Sequence, residues 1–102
     1  MKHATLAIIA VISSIGVVSL AHAAGDVQAG KVLSAACAAC HGANGQGTAQ
    51  YPALAGKNAD QLVQALKDFK SGKRDNTFMK GMASSLSAQD IENVAAYYAL
   101  LK

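Results

Sequence analysis

Two thiols and an imidazole fall within five consecutive residues: Cys37-Ala38-Ala39-Cys40-His41. Thiolates and imidazole bind metals, thiols are nucleophiles, and a pair so close could close a disulfide. Zinc needs four ligands. The only other candidates of that kind, His3 and His22, lie in an N-terminal stretch that reads as removable, and the rest of the chain has no further Cys or His. A disulfide between residues three apart closes a tiny loop and stabilises little. Thiol–disulfide exchange through C-x-x-C accompanies a βαβ pattern, which is absent. C-x-x-C-H is also the attachment signature of c-type haem. Residues three apart on a helix share a face, so both sulfurs reach the two vinyl groups of one porphyrin. The next residue places an imidazole under the iron. This reading gives Cys37 and Cys40 to the covalent attachment of one haem c, and His41 to the metal.

One face of such an iron remains. Another His is excluded, so the sixth ligand is Met, Lys, an amine or nothing. Met accompanies electron transfer and raises the potential. Met79 and Met82 are the candidates, and a Met in a small domain also serves as packing.

The N-terminus has the order of an export signal. Met1-Lys2-His3 is positive, Leu6 to Leu20 is almost wholly apolar, and Ala21-His22-Ala23 offers small residues to a peptidase. A membrane anchor would need about 20 apolar residues. The expectation is a signal peptide over 1–23, cleaved after Ala23, and a single domain over 24–102, destined for the periplasm. Removing 23 of the 102 residues leaves 79. Lys2 goes with them, so eight of the nine basic residues and all six acidic ones stay. That balance is too mild to argue for nucleic acid. A domain this small has a marginal core. It has no Trp, and Tyr51, Phe69, Phe78, Tyr97 and Tyr98 are its only aromatics. A buried prosthetic group would supply the missing apolar body.

The elements that position these residues are helical. Asp26 caps a helix expected from Val27 to Ala39, with Val27, Val32, Leu33 and Ala36 at helical spacing. His41 to Gly56 is turn-rich. A second helix runs from Asn58 to Ser71, with Leu62, Val63, Leu66 and Phe69 on one face and Gly72 as its stop. Lys73 to Leu86 reads as loop. The last helix opens at Ser87 with Asp90 as a weak capping box and runs to Leu101. No stretch alternates with period two, so the domain is expected to be all-α, with three main helices and long loops.

With these residues in view the chain resembles a class I cytochrome c, of the small bacterial kind that also occurs as tandem two-haem proteins. The resemblance rests on Gly30-Lys31, Cys37 to His41, Gly42-Ala43-Asn44-Gly45, Tyr51 to Gly56, Leu66 to Phe69, Gly72-Lys73-Arg74, Met79 to Met82, Leu86-Ser87 and Ala95 to Tyr98. It implies the cytochrome c fold around one haem. It favours Met79 as the axial sulfur, eight residues before the Ser that opens the last helix, and leaves Met82 as a pocket neighbour. It gives the Pro52 carbonyl the role of acceptor for the axial imidazole's Nδ1–H. It makes Gly30 the small residue where the last helix crosses, with Tyr97 or Tyr98 packed there. The segment from Arg74 to Met79 is shorter than in some relatives, which leaves the haem edge more open.

Three functions fit this reading. The first is a diffusible one-electron carrier and not an enzyme, a monomer without membrane insertion after cleavage. By resemblance its partners are a quinol–cytochrome c oxidoreductase and a terminal oxidase or periplasmic reductase. The second is a peroxide- or gas-reactive haem protein with a labile sixth ligand. The mature segment offers it no second His, and Glu92 is its only Glu, so a distal acid–base group is lacking. The third is a haem subunit fixed in a larger redox complex. Lys67, Lys70, Lys73 and Arg74 would share one helix end, either as a solvated face or as a patch steering an acidic partner. Asp60, Asp68 and Asp75 interleave and blunt that field.

Overall fold

A computed structural model describes residues 2, 4, 5, 7–11 and 25–102. The expected cleavage point after Ala23 lies outside the described residues. Among the described residues no helix is long and apolar enough to cross a membrane.

The described residues form five helices in order: α1 Val27–Leu33, α2 Ala35–His41, α3 Ala59–Ser71, α4 Thr77–Ser84 and α5 Ala88–Leu100. No strand occurs among the described residues. The caps follow from side-chain chemistry. Asp26, Asn58 and Ser87 each accept hydrogen bonds from free amides of the helix they precede. Asp90 returns a bond to the Ser87 amide, which completes the expected capping box. Gly72 ends α3 as anticipated.

Two expectations need correction. The first helix is not continuous from Val27 to Ala39. It bends at Ser34 into α1 and α2, and α2 continues to His41. The buried Ser34 hydroxyl donates to the Lys31 carbonyl at 2.6 Å, and Cys37 N donates to Ser34 O, three residues back, at 2.9 Å. A hydroxyl bonded back into its own helix, with a local three-residue step, tightens and bends the turn. The segment Lys73 to Leu86 is not all loop, because it contains α4. Asn76 caps α4 through its side chain, which accepts from Met79 N at 2.9 Å.

α1 crosses α5 at Gly30. A Cβ there would lie 1.9 Å from the Asn93 carbonyl oxygen and 2.9 Å from the Tyr97 Cβ, so only a residue without a side chain permits this approach. The buried Asn93 reinforces the crossing: its Oδ1 accepts from Asp26 N at 2.8 Å and from Gln89 Nε2 at 2.9 Å. α3 packs on both α4 and α5. The core consists of Leu62 and Val63 from α3 with Ile91, Val94, Ala95 and Tyr98 from α5. The bent α1–α2 unit, α3 and α5 are thus the three main helices, with α4 set in the segment between the last two.

Candidate functional site

α2 carries both thiols and ends on the imidazole. Cys37 is half-buried against the core, while Cys40 is exposed. Burial pushes the Cys37 thiol up, and its hydrogen bond with Tyr98 opposes that. The Tyr98 hydroxyl itself is pushed well above its ordinary value, first by burial and then by Cys37. It donates a long bond of 3.5 Å to the Ser34 carbonyl, at the bend between α1 and α2. Tyr98 therefore ties α5 to the helix that bears the thiols.

His41 is buried, at 7% exposure. Its Nδ1 lies 2.7 Å from the Pro52 carbonyl oxygen. A carbonyl can only accept, so Nδ1 carries a proton, and in the neutral ring the available lone pair is then the one on Nε2. That is the tautomer a metal-binding imidazole needs, and the acceptor fixes the ring and makes Nε2 more basic. The loop between them is folded to bring Pro52 back. Gly47 N donates to His41 O at 2.7 Å. Gly47 has φ +78, and a Cβ on it would lie 2.6 Å from Ala53 N. Tyr51, next to Pro52, sets its ring against the imidazole with centroids 5.9 Å apart and planes at 62°. This contact has no signature in the sequence, because it joins residues ten apart through an irregular loop.

Beside Cys37 an open crevice of about 630 Å³, counting its mouth, runs between α1–α2, α3, α4 and α5. Leu33, Leu66, Leu86 and Val94 form apolar walls, and Cys37, Met79 and Met82 add three sulfurs. Met82 is 42% exposed, while Met79 is more enclosed. Cys37 and both candidate methionines therefore share one crevice. His41 and Pro52 form a separate hydrogen-bonded pair at the end of α2. An apolar slot lined by sulfur, next to a helix that presents two thiols and an imidazole with a free Nε2, fits a flat apolar ring with a metal at its centre. Among the described residues no three His, Cys, Asp or Glu side chains gather as a protein-only metal site.

The basic residues near the end of α3 are partly engaged. Lys70 donates to the Leu86 carbonyl, and the Arg74 guanidinium lies 4.6 Å from the centroid of the Phe69 ring. The first contact ties α3 to the connection between α4 and α5, and the second folds the α3–α4 connection back on α3, so these two charges have a structural use.

A family model described as cytochrome c matches residues 27–101. Cytochrome c4 of Pseudomonas aeruginosa is 42% identical over 96 residues, covering 93% of this chain and 48% of that protein. The thiosulfate dehydrogenase electron acceptor of Thiomonas intermedia is 46% identical over 71 residues, covering 68% of this chain and 33% of that protein. Among solved structures, cytochrome c4 of Acidithiobacillus ferrooxidans superposes with a TM-score of 0.74 at 32% identity, covering 76% of this chain and 51% of the other. The chain spans about half the length of the curated cytochrome c4 relatives it matches.

Proposed function

The chain belongs to the cytochrome c family and carries one haem c bound covalently through Cys37 and Cys40, and we propose that it is a periplasmic one-electron carrier with His41 and Met79 as the iron's axial ligands. The observation that carries this reading is the 2.7 Å bond between His41 Nδ1 and the Pro52 carbonyl. It commits the imidazole to donating through Nε2 from a fixed orientation. When bound, the iron supplies the one-electron ferric–ferrous couple. His41 contributes a neutral nitrogen donor whose basicity Pro52 tunes. Met79 contributes a neutral sulfur, which raises the potential. Leu33, Leu66, Leu86 and Val94 would hold the porphyrin in an apolar crevice and keep the local dielectric low. The thioethers of Cys37 and Cys40 prevent loss of the group in an exported compartment. The leader ending at Ala23 supports the location, and cleavage there is part of the proposal.

No acid–base residue enters this scheme, which is why transfer of electrons and not turnover of a substrate is the proposed activity. Its partners are other redox proteins: a quinol–cytochrome c oxidoreductase as donor, and a terminal oxidase or periplasmic reductase as acceptor. A second reading, a haem domain working within a larger redox assembly, draws support from the thiosulfate dehydrogenase electron acceptor, of which this chain matches a third.

The test is a visible spectrum of the matured protein, oxidised and reduced, with and without carbon monoxide. The carrier reading expects low-spin haem c, a weak sulfur-to-iron band and no response to carbon monoxide. Ready binding of carbon monoxide would mean an open or labile sixth position and would favour gas or peroxide chemistry. Co-purification in a stable complex would favour the second reading.

A further inference from the structure

We infer that Tyr51 is a positioning residue for the His41 imidazole: together with Pro52, and held in place by Thr48, it fixes the rotation of that ring. The inference rests on His41 being an axial ligand. The Cβ tether and the hydrogen bond at Nδ1 set the imidazole's orientation from one edge. A contact off the line of that bond narrows the torsional range about Cβ–Cγ that remains. Tyr51 supplies one, with ring centroids 5.9 Å apart at 62°, within the range of edge-to-face aromatic pairs.

Both restraints come from one dipeptide, Tyr51-Pro52, and the loop is tied to keep it in register. Thr48 Oγ1 accepts from Gln50 N at 3.2 Å and from Tyr51 N at 3.1 Å. Thr48 N donates to Tyr51 O at 2.8 Å, closing the turn. At its other end the loop is anchored on His41 itself, through Gly47 N. Core packing does not explain the position of Tyr51. It is 42% exposed and lies outside the buried cluster. Its aromatic contact is with the imidazole. The rotation it holds sets how the ligand's π electrons meet the metal's orbitals, and groups that orient a metal-bound His tune the site.

The experiment compares the matured haem proteins of wild type, Tyr51→Ala, Tyr51→Phe and Thr48→Val. The readout is the pattern of hyperfine-shifted porphyrin methyl resonances in the ferric proton spectrum, which reports the orientation of the axial ligands, with an unchanged signal from the ligating methionine's methyl group marking a change that belongs to the imidazole. The melting temperature serves as a control for folding. Tyr51→Phe keeps the ring and is expected to reproduce the wild-type pattern. Tyr51→Ala is expected to shift the order and spread of the methyl resonances at nearly unchanged melting temperature. Thr48→Val is expected to shift them in the same sense by less. A wild-type pattern in Tyr51→Ala overturns the inference, and so does a Tyr51→Phe pattern displaced as far as that of Tyr51→Ala. Failure of the His41 assignment shows itself separately, because the wild type would then lack the resonances of a coordinated imidazole.

Discussion

At the scale of single residues, the two methionines pose the sharpest question. Both line the crevice, three positions apart on α4. Met79 lies in the first turn, where the Asn76 side chain holds its amide, and it is the more enclosed of the two. Met82 is nearly half exposed. A thioether that binds iron loses its solvent contact, which favours the enclosed sulfur. Met79→Ala is expected to lower the reduction potential by roughly 60 mV or more, about a tenfold change for one electron, and to admit carbon monoxide. Met82→Ala is expected to keep the ligation and cost about 1–2 kcal/mol in packing at most. Potentiometry and carbon monoxide titration of both variants check this, and the reverse pattern would transfer the role to Met82. Much at this scale was legible in the residues. Cys37, Cys40 and His41 announce themselves by spacing, and Pro52 stands out once the family is suspected. Tyr51 does not, because the fold alone brings it to His41.

At the scale of elements, the α1–α5 crossing governs stability near the site. Gly30→Ala places a methyl 1.9 Å from a backbone oxygen of Asn93, which no rotamer change relieves. The helices must part, at a cost of about 3 kcal/mol. For a domain of this size that lowers the melting temperature by roughly 10 to 20 °C. Thermal unfolding followed by circular dichroism measures it, and an unchanged midpoint would show that the crossing is looser than described. α3 and α5 were legible because each carries a cap and an apolar stripe several turns long. α4 was missed for physical reasons. It is two turns long, has Gly81 in its middle, exposes Phe78 and buries only Ala83, so its apolar residues mark a short and incomplete face. Its signal was Asn76 followed by Phe78, Met79, Met82 and Ala83, a capped helical spacing that was too short to weigh. The bend at Ser34 has no sequence marker beyond the serine itself, since a helical serine bends its helix only when its hydroxyl turns inward.

At the scale of the whole molecule, the alkaline limit follows from the burial of Tyr98 in the core. The Tyr98 proton is held well above the ordinary tyrosine value of 10.0. Up to about pH 10 the phenol is neutral folded or unfolded, and its contribution is fully present. Above that the unfolded chain releases the proton while the native one retains it, so stability falls by up to about 1.4 kcal/mol per pH unit from this group. Denaturant titrations between pH 8 and about 11 should show Tyr98→Phe losing less stability with rising pH than the wild type, and equal slopes would place the hydroxyl in contact with water.

The buried cluster of the domain is small: Leu62, Val63, Ile91, Val94, Ala95 and Tyr98. Among the described residues, Tyr98 and Ile91 are the largest side chains fully enclosed. Leu33, Leu66 and Leu86 pack against that cluster only partly buried, and with Met79 and Met82 they line the crevice. Domains of this length bury too little surface to fold securely without a staple, and here the wall that would complete the core is the haem. Cys37→Ala/Cys40→Ala, purified free of haem, is therefore expected to lose most of its far-UV helical signal and to show no cooperative thermal transition at 25 °C and above. If that variant instead melts cooperatively with the helix content of α1 to α5, the polypeptide core suffices alone. The crevice would then be a binding slot in a self-sufficient bundle, and the role of the haem in folding would be withdrawn while its role in electron transfer stood.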